Sequence, residues 1–100
     1  MLKHIVLWKI KDTAEGGSKS ENAIKIKRLL EGLKGKIKQI SSIEVGININ
    51  DSPDAYDVAL YAKFGNAEDL KIYQNHTEHI KVEDLVSKVR LERKAMDYEA

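Results

Sequence analysis

The chain predicts one α+β domain in which the order strand, helix, strand is written twice, β-α-β-β-α-β. Three observations carry that expectation. Two runs of two-residue alternation flank a turn signal near the middle; stretches of helical periodicity precede and follow them; and one hundred residues leave room for a single core.

Leu2 to Ile10 suits a strand, with His4, Val6, Trp8 and Ile10 on one face and Lys3, Ile5, Leu7 and Lys9 on the other. Apolar residues on both faces indicate that both are covered. A loop with Gly16, Gly17 and Ser18 follows. Ile26, Leu29, Leu30, Leu33 and Ile37 then recur at helical spacing, and Lys25, Lys27, Arg28 and Lys34 fall outside that stripe as a solvated face. Gly35, able to turn left-handed, ends this helix. Ser42 to Asn50 alternates strictly, Ile43, Val45, Ile47 and Ile49 against Glu44, Gly46 and Asn48. Asp51-Ser52-Pro53-Asp54 is a turn, leading by a hairpin into a strand from Tyr56 to Phe64. Asn66 caps a second helix through Leu70 and Tyr73 toward Asn75, with Asp69 placed to return a bond as in a capping box. His79 to Val86 adds a helical turn or two, and Val89 to Tyr98 is the last strand. Two such units joined by a hairpin make a ferredoxin-like, four-stranded antiparallel sheet, first and third strands central, with both helices on one face.

Lys and Arg total 17 against 16 Asp and Glu, a net charge of +1 with the signs interleaved. Such a surface offers no footprint for nucleic acid or for an anionic membrane. With zero cysteines there is no disulfide framework, thiolate nucleophile or zinc-thiolate site. The apolar stretch at the start is too short to cross a bilayer, so a soluble, cytoplasmic protein is expected.

If the helices cover one sheet face, the other, read as the one bearing His4, Val6 and Trp8, carries more apolar surface than a monomer leaves open. A second copy covers it most economically, because a two-fold contact lets one patch complement itself. The expected assembly is therefore a homodimer whose two sheets enclose a shared α+β barrel, with room for one small ligand.

The opening Leu2-Lys3-His4-Ile5-Val6-Leu7-Trp8-Lys9-Ile10-Lys11-Asp12, the block Tyr73-Gln74-Asn75-His76-Thr77-Glu78-His79-Ile80 and the ending Met96-Asp97-Tyr98-Glu99 resemble the stress-responsive alpha/beta barrel (Dabb) family over nearly the whole chain. The resemblance implies the same ferredoxin-like fold and a homodimeric barrel. The family includes a plant polyketide cyclase that closes a linear chain by intramolecular aldol condensation. Similarity to it implies that His79 and Tyr73 form an acid–base pair, and His4 and His76 also match histidines there. Between His76 and His79 this chain has Thr77 where many relatives carry proline.

The chemistry suits those residue types. An imidazole, with a free pKa near about 6.5, takes a proton from a carbon beside a carbonyl, and a phenol hydrogen-bonds the developing enolate. The candidate catalytic residues are thus His79 as general base and Tyr73 as hydrogen-bonding acid, with His4, Trp8 and His76 as ligand-binding residues. Each has a structural alternative: His4 as a hydrogen-bonded interior ring, His79 as support for a helix end, Trp8 as packing, Tyr73 as core. The spacing of His76 and His79, with His4 as a third ligand, is compatible with a metal. The segment, however, has no regular helical frame to fix the rings and no carboxylate clearly placed to orient them, so neither metal nor cofactor is expected. Three functions follow: uptake of a small, largely apolar or aromatic molecule in the barrel interior of a stress-associated dimer; cofactor-independent cyclase, isomerase or lyase chemistry; and, by fold analogy alone, a cofactor-free oxygenase.

Overall fold

The computed structural model describes all residues, Met1–Ala100. Its elements run β1 (Leu2–Ile10), β2 (Thr13–Ala14), β3 (Gly17–Ser18), α1 (Lys19–Gly32), β4 (Ile40–Ile47), β5 (Val58–Phe64), α2 (Ala67–Asn75), α3 (Thr77–Val89) and β6 (Arg90–Glu99). The main sheet has the order β4-β5-β1-β6, all antiparallel, so the first and third long strands are central. This is the ferredoxin-like arrangement expected, with three helices where two were expected.

β1 decides which sheet face meets the helices. Leu2, His4, Val6, Trp8 and Ile10 are buried, while Lys3, Ile5, Leu7 and Lys9 are half-buried. The buried set joins Ile26, Leu30 and Leu33 of the first helical segment and Leu70, Tyr73, Val82, Val86 and Val89 of α2 and α3 in one core. The face assignment made from the sequence is therefore reversed: His4, Val6 and Trp8 lie under the helices. The open face carries Ile5, Leu7 and, by register, Tyr61 and Met96. Period-two alternation separates two faces but does not say which one the helices choose.

The loop after β1 is a small ribbon. Glu15 (φ 50°) and Gly16 (φ 75°) are both left-handed, the backbone a two-residue hairpin with primed geometry needs. Asn22, buried on α1, donates to the carbonyls of Ala14 and Gly17, and a Cβ on Gly17 would stand 3.1 Å from Asn22 Oδ1. Ser18 then caps α1. Its Oγ accepts from Glu21 N–H at 3.2 Å, Glu21 Oε1 accepts from Ser18 N–H at 2.9 Å, and these bonds hold the Glu21 carboxyl below its usual range.

α1 stops at Gly32 and tightens into a 3₁₀ turn over Leu33–Gly35. Leu29 is exposed, and the rest of the expected stripe is buried. Lys27 is not merely solvated. Its Nζ donates to Glu31 Oε2 (2.8 Å) and to the Val45 carbonyl (2.6 Å), while Glu31 Oε2 accepts the Val45 N–H (3.0 Å). Both backbone groups that Val45 turns away from β5 are thus satisfied by α1.

The β4–β5 connection is longer than the alternation implied, because β4 ends at Ile47 and β5 begins at Val58. Side-chain bonds from Asn48 and Asn50 to nearby backbone shape the start of that connection. Asn66 caps α2 by accepting from Asp69 N–H at 2.8 Å, but the expected return bond from Asp69 is absent.

The largest departure from the sequence reading lies at His76. It closes α2 and opens α3, accepting the Glu78 N–H on Nδ1 at 3.1 Å, and α3 runs 13 residues where a turn or two was expected. Thr77 occupies the first helical position, where proline is favoured because its missing N–H is one of the unpaired helix-end donors. Here Thr77 fills that position and the His76 ring supplies the cap.

Replacing Ser18 with Ala removes one half of the reciprocal cap. A loss of about 1 kcal/mol in urea unfolding is expected, with no change in the m-value; an unchanged midpoint would show that the box contributes nothing.

Candidate active site

Three elements bring the chemistry together. β1 projects His4 under the helices because it shares a face with Val6 and Trp8; the last turn of α2 carries Tyr73; the first turn of α3 carries His79. Antiparallel pairing with β6 sets Asp97 directly beside His4.

His4 Nδ1 lies 2.5 Å from Asp97 Oδ1. A carboxylate only accepts, so Nδ1 is the donor, and the bond turns Nε2 away from Asp97. The His4 side chain is almost wholly buried and its Asp97 partner is partly exposed. His79 is fixed the same way by a different acceptor. Its Nδ1–H donates to the Gln74 carbonyl at 3.2 Å, with Glu83 Oε2 3.7 Å away, which again leaves Nε2 as the free nitrogen. Burial lowers its pKa below the ordinary histidine value; the Gln74 carbonyl and Glu83 oppose this, and the charges of His4 and Arg93 reinforce it. Neutral His79 is thus a lone-pair base at neutral pH.

Tyr73 has no exposed surface, and its hydroxyl is the one sealed side-chain polar atom in the protein without a hydrogen-bond partner. Its ring lies 4.3 Å from His79, 5.0 Å from Phe64 and 6.3 Å from His4, centroid to centroid. Burial raises the phenol's pKa far above its usual range, Glu83 adds to the effect and Arg93 offsets part of it. The group stays a proton donor at every physiological pH.

A cavity of about 60 Å³ opens beside these groups, walled by His4, Tyr73 and His79, by Trp8, Leu30, Val82 and Val86, and by Glu83, Arg90 and Arg93. Of the residues singled out from the sequence, His4, Trp8, Tyr73 and His79 therefore meet. His76 does not: its ring is engaged in the helix cap and it borders a different, open depression with Lys71 and Asn75. The three histidines form no common ligand set, and no group of three metal-ligating side chains converges anywhere. The cavity also lies between the sheet and the helices of one chain, not between two sheets.

Asp97 answers the missing carboxylate noted in the sequence. The signal for it was the pairing of first and last strands, which sets position 97 opposite position 4 once their register is known. Arg90 was missed because α3 was read too short to bring it to the helix end, and Glu83 and Arg93 because the side of α3 and β6 that meets the cavity follows only from their packing.

The family model described as the stress responsive A/B barrel domain matches residues 2–100. The chain belongs to that family. Among its relatives, an uncharacterized protein of Streptomyces coelicolor is 32% identical over 79 residues, 79% of each chain. This Dabb chain is similar in structure to a dimeric, ferredoxin-like protein of unknown function from Bacteroides fragilis (35% identity, TM-score 0.88, covering 99% of this chain and 95% of that one). A hydroxynitrile lyase from Passiflora edulis shares the fold at 13% identity (TM-score 0.81, 97% and 90% covered). No helix of the Dabb chain is long and apolar enough to cross a membrane.

Two outcomes follow from the buried groups. Tyr73→Phe deletes an unsatisfied hydroxyl, so it should raise stability by about 1 kcal/mol or leave it unchanged; a loss above that size in urea unfolding would mean the hydroxyl has a partner. His79 binds a proton less readily folded than unfolded. Stability should therefore fall as pH drops below the ordinary histidine value of 6.5 and level off beneath the lower folded value, and His79→Gln should flatten that slope in denaturation at stepped pH.

Proposed function

We propose that this Dabb protein is a homodimeric acid–base catalyst of the lyase, isomerase or cyclase kind, acting on a small carbonyl compound with His79 as general base and Tyr73 as hydrogen-bonding acid. The observation that carries the reading is the Tyr73 hydroxyl, sealed and unpartnered beside a neutral imidazole. An unmet donor costs the folded state about 1–3 kcal/mol; binding has to shift the ring enough to bring the sealed hydroxyl to the cavity, and a substrate oxygen then recovers that energy. His79 Nε2 then removes a proton from the neighbouring carbon, and the phenol stabilises the oxygen as charge develops on it. His4, steered by Asp97, serves as a second polar contact on the same cavity. These steps draw only on side chains of this chain.

The size of the cavity limits what enters. At about 60 Å³ it holds a group of a few heavy atoms, whereas a site enclosing a whole drug-sized ligand needs roughly 300 Å³ or more. The reacting end of a substrate fits this shape better than a bulky aromatic molecule taken up whole. Two-fold association is supported by the open sheet face, where Ile5, Leu7, Tyr61 and Met96 stand together, and by the dimeric description of the Bacteroides protein.

A second reading, uptake of a small apolar molecule without turnover, is favoured by the apolar walls that Trp8, Leu30, Val82 and Val86 provide. One experiment separates the two. Small ketones and aldehydes are incubated with the protein in deuterated water and exchange beside the carbonyl is followed by proton NMR. Catalysed exchange, reduced roughly 100-fold by His79→Gln and 10- to 100-fold by Tyr73→Phe with folding intact, is the expected result. Exchange at the buffer rate with every compound, accompanied by saturable binding, would leave uptake as the function.

A further inference from the structure

Arg90 and Arg93 both stand in the cavity wall, and neither takes part in an ion pair or a side-chain hydrogen bond. Nearby charges of both signs are engaged elsewhere: Glu92 with Lys9, Lys88 with Glu15. Glu83 is the one carboxylate in the wall, and its contact is His79.

The two walls run in the same direction. On β6, Asp97 pairs with His4 at one end and Arg93 with Trp8 at the other, a separation of about 13 Å along the strand. On α3, His79 begins the helix and Arg90 caps its end, with Val82, Glu83 and Val86 between them on the cavity side. Each wall therefore starts at the imidazole and phenol groups and finishes at a guanidinium. An arginine side chain closes part of that gap, which leaves a spacing of several bonds between a carbonyl at Tyr73 and a charge at the arginines.

We infer that the arginine end of the cavity is an oxyanion subsite, so that the substrate is an oxo compound carrying a carboxylate or phosphate several bonds from its reacting carbonyl. The inference rests on the acid–base reading of the same cavity. Guanidinium groups present paired donors matched to either anion. Two of them outweigh the single Glu83, and that carboxylate repels an anion from the His79 end and so fixes which way round the substrate lies. Arg93 is exposed, which makes the attraction salt-sensitive and modest.

The test compares equilibrium binding of 6-oxoheptanoate, 5-oxohexyl phosphate and the neutral methyl ester of 6-oxoheptanoate, measured by calorimetry at low salt. At least one anion should bind about tenfold more tightly than the ester, and the tighter of the two identifies the natural group. The double variant Arg90→Gln, Arg93→Gln should bind all three alike. Equal affinity for ester and anions in the unaltered protein, or an anion preference that survives in the folded double variant, overturns the inference. If that variant fails to fold, the arginine Nε–H signals of the unaltered protein decide: movement with an anion and not with the ester supports the subsite, and no movement defeats it. Anion preference without deuterium exchange would defeat only the catalytic reading, and exchange without anion preference only this one.

Discussion

An imidazole placed among core residues on the central strand is the constraint around which the rest is arranged. β1 seals alternate side chains under the helices, and His4 occupies one of those sealed positions between Leu2 and Val6. A buried ring nitrogen without a partner is costly, so the neighbouring strand must supply an acceptor at the same level, and antiparallel pairing puts Asp97 there. Because Asp97 lies on an outer strand, its carboxylate stays partly solvated while the ring it holds does not.

The second determinant is the break between α2 and α3. One residue, His76, ends the first helix and caps the second, and it allows the rings of Tyr73 and His79, six positions apart, to meet at 4.3 Å, tilted by 42°. In one continuous helix, residues six apart would point about 120° away from each other, too far round for their rings to meet. The same break frees the Gln74 carbonyl from helical bonding, and that carbonyl accepts a hydrogen bond from His79 Nδ1–H. A histidine that resembles a ligand in the sequence thus acts through the backbone, setting the geometry of Tyr73 and His79.

Much of this was legible in the residues alone. Alternation in β1, β4 and β5, the helical stripe around Ile26 and Leu30, and the Asn66 cap fix element type and order, since each is a local pattern with a local cause. His79, Tyr73, His4 and Trp8 do share a cavity. What could not be read is non-local. The side of the sheet facing the helices follows from how α1, α2 and α3 pack on it, and so the cavity was expected between two sheets. The Asp97 partner needs the β1–β6 register, and the reach of α3 to Arg90 was hidden by too short a helix. Lys27 looked like solvated charge because nothing local links positions 27 and 31 to the backbone of position 45.

That tether also bears on how sheets of this kind grow. Adding strands from neighbour to neighbour requires two receptive margins, one to offer and one to accept. At β4 the midpoint is already occupied by the amine and carboxylate of α1, leaving the β6 side alone available. Two molecules meeting through β6 would turn outward rims whose midpoint is already bonded, which disfavours propagation into a fibre.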